Sequence, residues 1–228
     1  MDNLTPVAAP PKKNTHQTLF IFLFGLVLGI AIFSSYHYYQ LAHRMDNQNY
    51  ESTEPTPVFF NISEEDHIWG AKDAKVTLVV FSDLACPYSR EYFANLQELM
   101  NTRADQMRIV WRHLPVSLNN VASVSAAIAA ECAGEQGKFF EYIAELYPHQ
   151  DQYGPEFYAA SASELGLNVD NFSACVSSGK YDTKIEADYN EGLAKNIAGT
   201  PASFLDGRYL PGALPLSQLE ALIDPLIK

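Results

Sequence analysis

Residues 75–81, KVTLVVF, form an apolar and β-branched run without alternation, and five residues after its end the chain reads C-P-Y-S. A short run of this kind is a strand covered on both faces. Pro87 suits the first position of a helix, where its missing N–H costs nothing, and the predicted helix continues through EYFANLQELM to about Thr102. MRIVWRHLPV then gives a second strand, closed by Pro115. Strand, helix and strand in direct succession leave little freedom. The strands Lys75–Phe81 and Arg108–Arg112 must be parallel neighbours, and the right-handed crossover lays the helix on one face of the sheet.

Asn119 or Asn120 can cap a helix through ASVSAAIAAECA, which Gly134 and Gly137 break before KFFEYIAELY. Helical patterns follow in PEFYAASASELG, VDNFSACVSSG and DTKIEADYNEGLAKN. After Gly199, PASFLDGRYLPGA reads as two short strands around an Asp-Gly turn, with Ala202–Phe204 in the same sheet, and PLSQLEALIDPLIK closes the chain as a helix. The class is α/β.

The N-terminus has a different character. Thr18 to Tyr36, TLFIFLFGLVLGIAIFSSY, carries no charge and is long enough to span a bilayer. A signal peptide would have a shorter apolar centre and a small-residue cleavage site, so the reading is an uncleaved single transmembrane helix (18–36), with a cleaved signal as the alternative. Lys12 and Lys13 precede it and Arg44 follows, which places residues 1–17 in the cytoplasm and the rest in the periplasm or outside. Gly25 and Gly29 have the small-xxx-small spacing of a helix-pairing face, although glycine is common in membrane helices without one. Residues 37–60 read as a linker with Pro55 and Pro57 near its end, and 61–228 as the folded domain.

With a net charge of −12 and no basic cluster, the chain is not built for nucleic acid. His67, His113 and His149 stand far apart in sequence and read as structural or surface histidines; no metal and no cofactor is implied.

The chemistry concentrates at Cys86. As the residue before Pro87 it is the N-cap, facing unpaired N–H groups and the positive end of the helix dipole, both of which favour a thiolate. The bland alternative is a buried cysteine acting as a small hydrophobe. Ser89 lies one helical turn on, on the same face. A hydroxyl is too weakly acidic to attack a disulfide sulfur near neutral pH, so Ser89 either donates a hydrogen bond to the sulfur or is inert surface. Asp83 carries a proton or simply caps its loop. The three cysteines allow three single pairings.

GAKDAKVTLVVFSDLACPYS, WRHLPV, AAECAGEQGKFFEY, NFSACVSSG and GTPASFLDGRYLPGA, in this order from about Trp69 to the end, resemble the DsbA-like thioredoxin-fold thiol–disulfide oxidoreductases. The resemblance implies a thioredoxin fold with a helical insertion at about 117–196. It implies Cys86 as catalytic nucleophile, Ser89 in the place where the family carries its second cysteine, and Tyr88 with Thr200 and Pro201 as substrate-binding residues, the Thr200–Pro201 bond being cis. It implies a structural Cys132–Cys175 disulfide, worth roughly 4 kcal/mol for a loop of about 43 residues; the alternatives are two reduced buried thiols, or one of them resolving Cys86. The expected function is exchange through a single cysteine, of isomerase or reductase type. Its partners would be extended or unfolded proteins with cysteines, and a small thiol or redox protein to complete turnover. A redox-inactive module that binds extended peptides, a chaperone or assembly factor, is the second expectation, since loss of one active-site cysteine is what such a module would show.

Overall fold

A computed structural model describes residues 33–39, 56–71 and 73–227. The chain divides into two units, Met1–Glu54 and Pro55–Lys228. In the first, residues 33–39 are helical (α1). The predicted span Thr18–Tyr36 and most of the linker lie outside the described residues. Among the described residues no helix is long and apolar enough to cross a membrane.

The second unit is a five-stranded sheet with helices. In chain order it runs β1 (His67–Gly70), β2 (Val76–Ser82), α2 (Pro87–Thr102), β3 (Met107–His113), α3 (Val121–Gly134), α4 (Phe139–Leu146), a 3-10 segment (Tyr147–Gln152), α5 (Pro155–Glu164), α6 (Val169–Ser177), α7 (Asp182–Ala194), β4 (Ala202–Leu205), β5 (Arg208–Pro211) and α8 (Leu216–Ile223). The sheet order is β1-β3-β2-β4-β5. β2 and β3 are parallel with Val79 opposite Val110, as the strand–helix–strand order predicts. β4 joins β2 antiparallel, Phe81 opposite Ala202. The β4–β5 turn is Asp206–Gly207, both residues at positive φ (46° and 90°), the conformation that suits a tight hairpin with right-handed twist.

β2 shows why its sequence does not alternate. Leu78 and Val80 enter the larger core with Phe93 and Leu96 of α2, Trp111 of β3 and Leu219 of α8. Val79 and Phe81 enter a second core on the other face with Val110, Ile197 and Phe204. That second core is closed by residues read from the sequence as linker. Val58 and Phe60 pack on it, the Phe60 ring lying 4.8 Å from that of Phe204, and the Val58 N–H donates to the Gly207 carbonyl at 2.9 Å. The apolar VFFNI stretch is too hydrophobic to stay a solvated tether when an uncovered sheet face lies beside it.

Two further features were not legible. β1 has four residues and no periodicity, yet pairs antiparallel with β3, His67 opposite Trp111. It also brings together histidines that stand far apart in sequence. The Glu131 carboxylate, buried on α3, bridges His67 Nε2 at 2.8 Å and His113 Nε2 at 3.1 Å, and Lys184 Nζ of α7 lies 2.9 Å away. The His67 ring stacks on Phe139 at 3.6 Å, and Gly134 has no room for a Cβ against that ring. The network continues from Lys184 to Asp188, and from Asp188 through Arg112 to Asp66. Both histidines are thus structural, tying the sheet edge to the insertion.

Burial would push the Glu131 carboxyl up, but the hydrogen bonds from His113 and His67 outweigh it and hold it well below the ordinary carboxylate range. A carboxyl depressed in the folded state stabilises the fold above its ordinary value of 4.5, and this stabilisation is lost as pH falls below that value toward the folded one. Glu131→Gln is therefore expected to lower stability at neutral pH by about 3 kcal/mol, because it removes the buried charge shared by two imidazoles and leaves the Lys184 ammonium with Asp188 as its remaining carboxylate. Denaturant unfolding across a pH series checks it: the native chain loses stability below pH 4.5, and the variant loses correspondingly less.

Candidate active site

β2 ends at Ser82 at the carboxyl edge of the sheet, and residues 83–85 lead into Cys86, the N-cap of α2 (φ −84°, ψ 125°), with Pro87 at the start of the helix. No side chain caps α2. The first helical bond runs from the Arg90 N–H to the Cys86 carbonyl at 3.1 Å. The positive end of a 16-residue helix therefore faces the Cys86 side chain without a competing side-chain acceptor. Cys86 is half-buried, and it is the cysteine that remains free, since Cys132 and Cys175 form a disulfide between α3 and α6 (Cα–Cα 5.8 Å). Neither reduced thiols nor internal resolution of Cys86 by that pair describes this state.

Thr200–Pro201 is cis and stands beside the sulfur, the Cys86 S–H donating to the Thr200 carbonyl at 3.4 Å. Behind it, the Tyr92 hydroxyl of α2 meets Ser203 Oγ of β4 at 2.8 Å, pinning the reactive helix to the strand that follows Pro201. Burial pushes the Tyr92 phenol up to about 12, against a smaller opposing effect of the Ser203 bond, so this cross-link keeps its proton.

Ser89 is 1% exposed, so the reading as inert surface is corrected: it lies on the inner side of α2, with Tyr92 and Phe93. Its hydroxyl has no hydrogen-bond partner. Tyr88 points outward beside the cysteine, 66% exposed. Asp83 is buried and fully engaged: its carboxylate accepts from the Ala85 N–H (2.8 Å), the Val116 N–H (2.8 Å) and the Ser123 hydroxyl (2.9 Å). That is the loop-capping role, with each bond fixing a segment around Cys86.

Other contacts to this loop come from residues that sequence reasoning did not single out. Ser82 Oγ meets the buried Tyr147 hydroxyl at 2.9 Å. The Gln150 side-chain amide donates to the carbonyls of Leu84 (2.7 Å) and Cys86 (3.0 Å), and the Tyr153 hydroxyl donates to the Leu84 carbonyl at 2.9 Å. All three side chains belong to the 3-10 segment or follow it directly. The sequence of that segment, YPHQDQY, carries no signal beyond that of a polar connection.

With this geometry in view, the comparisons with known proteins agree. The sequence profile of the thioredoxin family, described as "Thioredoxin", matches residues 62–225. The crystal structure of a thioredoxin-like oxidoreductase from Silicibacter pomeroyi superposes with a TM-score of 0.62 at 25% identity, covering 72% of this chain and 92% of that one. The thiol-disulfide exchange protein alpha-DsbA2 of Wolbachia pipientis superposes with a TM-score of 0.65 at 21% identity, over 72% of this chain and 88% of that one. A curated relative, the Na(+)/H(+) antiporter NhaA 1 of Salinispora arenicola, is 32% identical over 160 residues, which are 70% of this chain and 24% of the antiporter. The chain thus spans about a quarter of the length of the curated relatives it matches. A cysteine on a helix N-terminus, a cis-proline beside it and a helical insertion between the two halves of the sheet place the chain in the thioredoxin family, on the DsbA-like architecture of thiol–disulfide oxidoreductases.

Proposed function

We propose that the domain exchanges disulfides on protein substrates through Cys86 alone. The observation that carries this reading is the allotment of sulfurs: Cys132 and Cys175 are spent on each other, and Ser89 occupies the resolving position. The Cys86 thiolate attacks one sulfur of a substrate disulfide, a mixed disulfide forms, and the other substrate sulfur leaves as a thiolate. A second thiol then attacks the mixed disulfide and releases Cys86. If that thiol belongs to the substrate, the outcome is isomerisation and no electrons are lost or gained. If it is a small thiol or a redox partner protein, two such thiols reduce the substrate and leave as a disulfide. The backbone of Thr200 before Pro201 stands beside the sulfur and suits an extended chain bound in the manner of an added strand, with the exposed Tyr88 ring available to its side chains. Ser89, one helical turn on from Cys86 with a buried hydroxyl that has no partner, is the residue assigned in this reading to donate to the ionised sulfur.

The uncharged Thr18–Tyr36 segment, with Lys12 and Lys13 before it, supports a membrane-anchored placement with the domain in the periplasm or outside. A reporter fused after Lys228 is expected to work outside the cytoplasm; one that works only inside overturns the topology.

The same serine favours a second reading, a redox-inactive module that holds extended peptides. The two readings part on non-reducing gels. Under the exchange reading the native chain accumulates mixed disulfides, Cys86→Ala abolishes them, and Cys132→Ala leaves them while lowering stability by about 4 kcal/mol. Ser89→Cys supplies an internal resolving thiol, so adducts no longer persist and a dithiol oxidase or reductase activity appears. A native chain that forms no Cys86 adduct with a reactive disulfide, and whose peptide binding survives Cys86→Ala, rejects exchange in favour of the binding module.

A further inference from the structure

Large apolar side chains that a fold leaves exposed in one place mark a contact surface. In the folded unit Tyr88, Val116, Leu118 and Val121 are all exposed, and all four stand in segments that adjoin the active-site loop. Tyr88 follows Cys86 in α2. Val116 and Leu118 lie in the connection from β3 to α3, where the Val116 N–H donates to the Asp83 carboxylate at 2.8 Å, and Val121 opens α3.

Val121 is also the rim of a cavity. A groove of about 590 Å³ lies between the first turns of α3, the start of α5 and the later part of α6. Its walls include Val121 and Ala122, Tyr153 and Tyr158, and Phe172 and Val176, with no charged side chain among them. Four other cavities of this unit each have at least one charged side chain in the wall. The phenol groups here are already engaged: the Tyr153 hydroxyl donates to the Leu84 carbonyl at 2.9 Å, and that of Tyr158 meets Ser125 Oγ at 3.1 Å. An occupant therefore gains by burying apolar surface and finds few polar partners.

The groove is braced and joined to the reactive site. The Cys132–Cys175 bridge holds α6 to the later turns of α3, while the groove opens along the first ones. Tyr153 lines the groove, and its hydroxyl reaches the loop that carries Cys86; on the other side, the β3–α3 connection leads from Asp83 to Val121. In a chain of net charge −12, an uncharged cavity continuous with the reactive cysteine selects a neutral, apolar occupant. The chain's own residues 40–54, QLAHRMDNQNYESTE, are predominantly polar and do not supply one.

We propose that this groove is a second contact for the protein substrate, taking an aromatic or aliphatic side chain of the extended polypeptide whose cysteine meets Cys86. The inference rests on the reading that the domain takes extended chains, which exchange and the peptide-binding module share. Replacing an alanine of such a chain by a phenylalanine that reaches the groove is then worth about tenfold in affinity.

The test uses the full chain in phosphatidylcholine nanodiscs, so that no detergent competes for the groove. Peptides of serine and threonine carry one cysteine as a mixed disulfide with glutathione, and one phenylalanine moved a position at a time along the peptide. Cys86 attacks the peptide sulfur and glutathione leaves as the thiolate. At one spacing the phenylalanine peptide is expected to form its Cys86 adduct about tenfold faster than the alanine peptide, at concentrations below saturation. Ala122→Trp, on the exposed first turn of α3, fills the groove and removes that advantage, and Ser173→Trp does the same from the exposed side of α6. Adducts with oxidised glutathione, too small to reach the groove, form at the native rate in both variants. No advantage at any spacing, or an advantage that survives both tryptophans, overturns the proposal; should Ala122→Trp fail to fold, Ser173→Trp decides. A native chain without any glutathione adduct rejects exchange, and anisotropy of a labelled, cysteine-free phenylalanine peptide then decides the groove: binding lost in the tryptophan variants upholds it, and unchanged binding overturns it. Self-association of the native chain that Ala122→Trp abolishes would assign the groove to a second copy and overturn the proposal as well.

Discussion

The burial of β2 on both faces governs the rest of the structure. Leu78 and Val80 on one side and Val79 and Phe81 on the other belong to two separate cores, so the strand has to lie in the middle of the sheet with both edges paired. At roughly 25 cal/mol per Å² of apolar surface, four such side chains contribute several kcal/mol and leave no register in which a one-residue slip keeps the packing. The strand runs out at Ser82, and the chain must turn there to cover the sheet with α2. Cys86 is carried to the carboxyl edge of the parallel pair because of this, the place where open α/β sheets present their reactive groups.

This much was written in the sequence. KVTLVVF, the Pro87 helix start, the Asp206–Gly207 turn and the Asn120 cap are local signals, each decided by residues within a few positions of one another. The features that could not be read are those in which a short or polar segment takes its structure from something remote. HIWG becomes a strand because β3 has a free edge, and Val58 and Phe60 join the fold because the second face of β2 needs a cover. Gln150 meets Leu84 and Cys86 across more than sixty residues of chain, through a 3-10 segment that shows no periodicity. The Cys86–Thr200 approach was legible through the family's motifs, whereas the contacts made by the insertion were not, because C-P-Y-S and T-P are fixed strings and a clamp built from one amide and one phenol is not.

The insertion is also where the polar cost of the site is met. Asp83 is a buried carboxylate, tolerable because three donors from the loop itself, the β3–α3 connection and α3 close around it. Glu131 repeats the arrangement on a larger scale, with two imidazoles and an ammonium on one carboxylate. Such networks add less net stability than an apolar core of the same volume, since desolvation consumes most of the attraction. What they fix is geometry. Asp83 holds the strand-to-helix turn against α3, and Glu131 holds α3 against β1, β3 and α7, so the insertion cannot shift without breaking charged hydrogen bonds at both ends. An active-site loop that depends on Gln150 and Tyr153 for its carbonyl partners needs an insertion held in this way.

Ser89 shows what the site gives up. A sulfur in that position would need no hydrogen-bond partner, whereas the serine leaves a hydroxyl buried without one, a cost of about 1–3 kcal/mol. A dithiol site has a reduction potential of its own, because two electrons can be stored as a bond between its two sulfurs. One sulfur stores none. In the exchange reading the direction of the reaction is then set by the thiols and disulfides that meet Cys86, and the protein controls only how much of Cys86 is thiolate and how a chain is held against Thr200. Control of that kind has to come from fixed dipoles rather than from a second sulfur, and the uncapped N-terminus of α2 is the dipole that faces Cys86 in this fold.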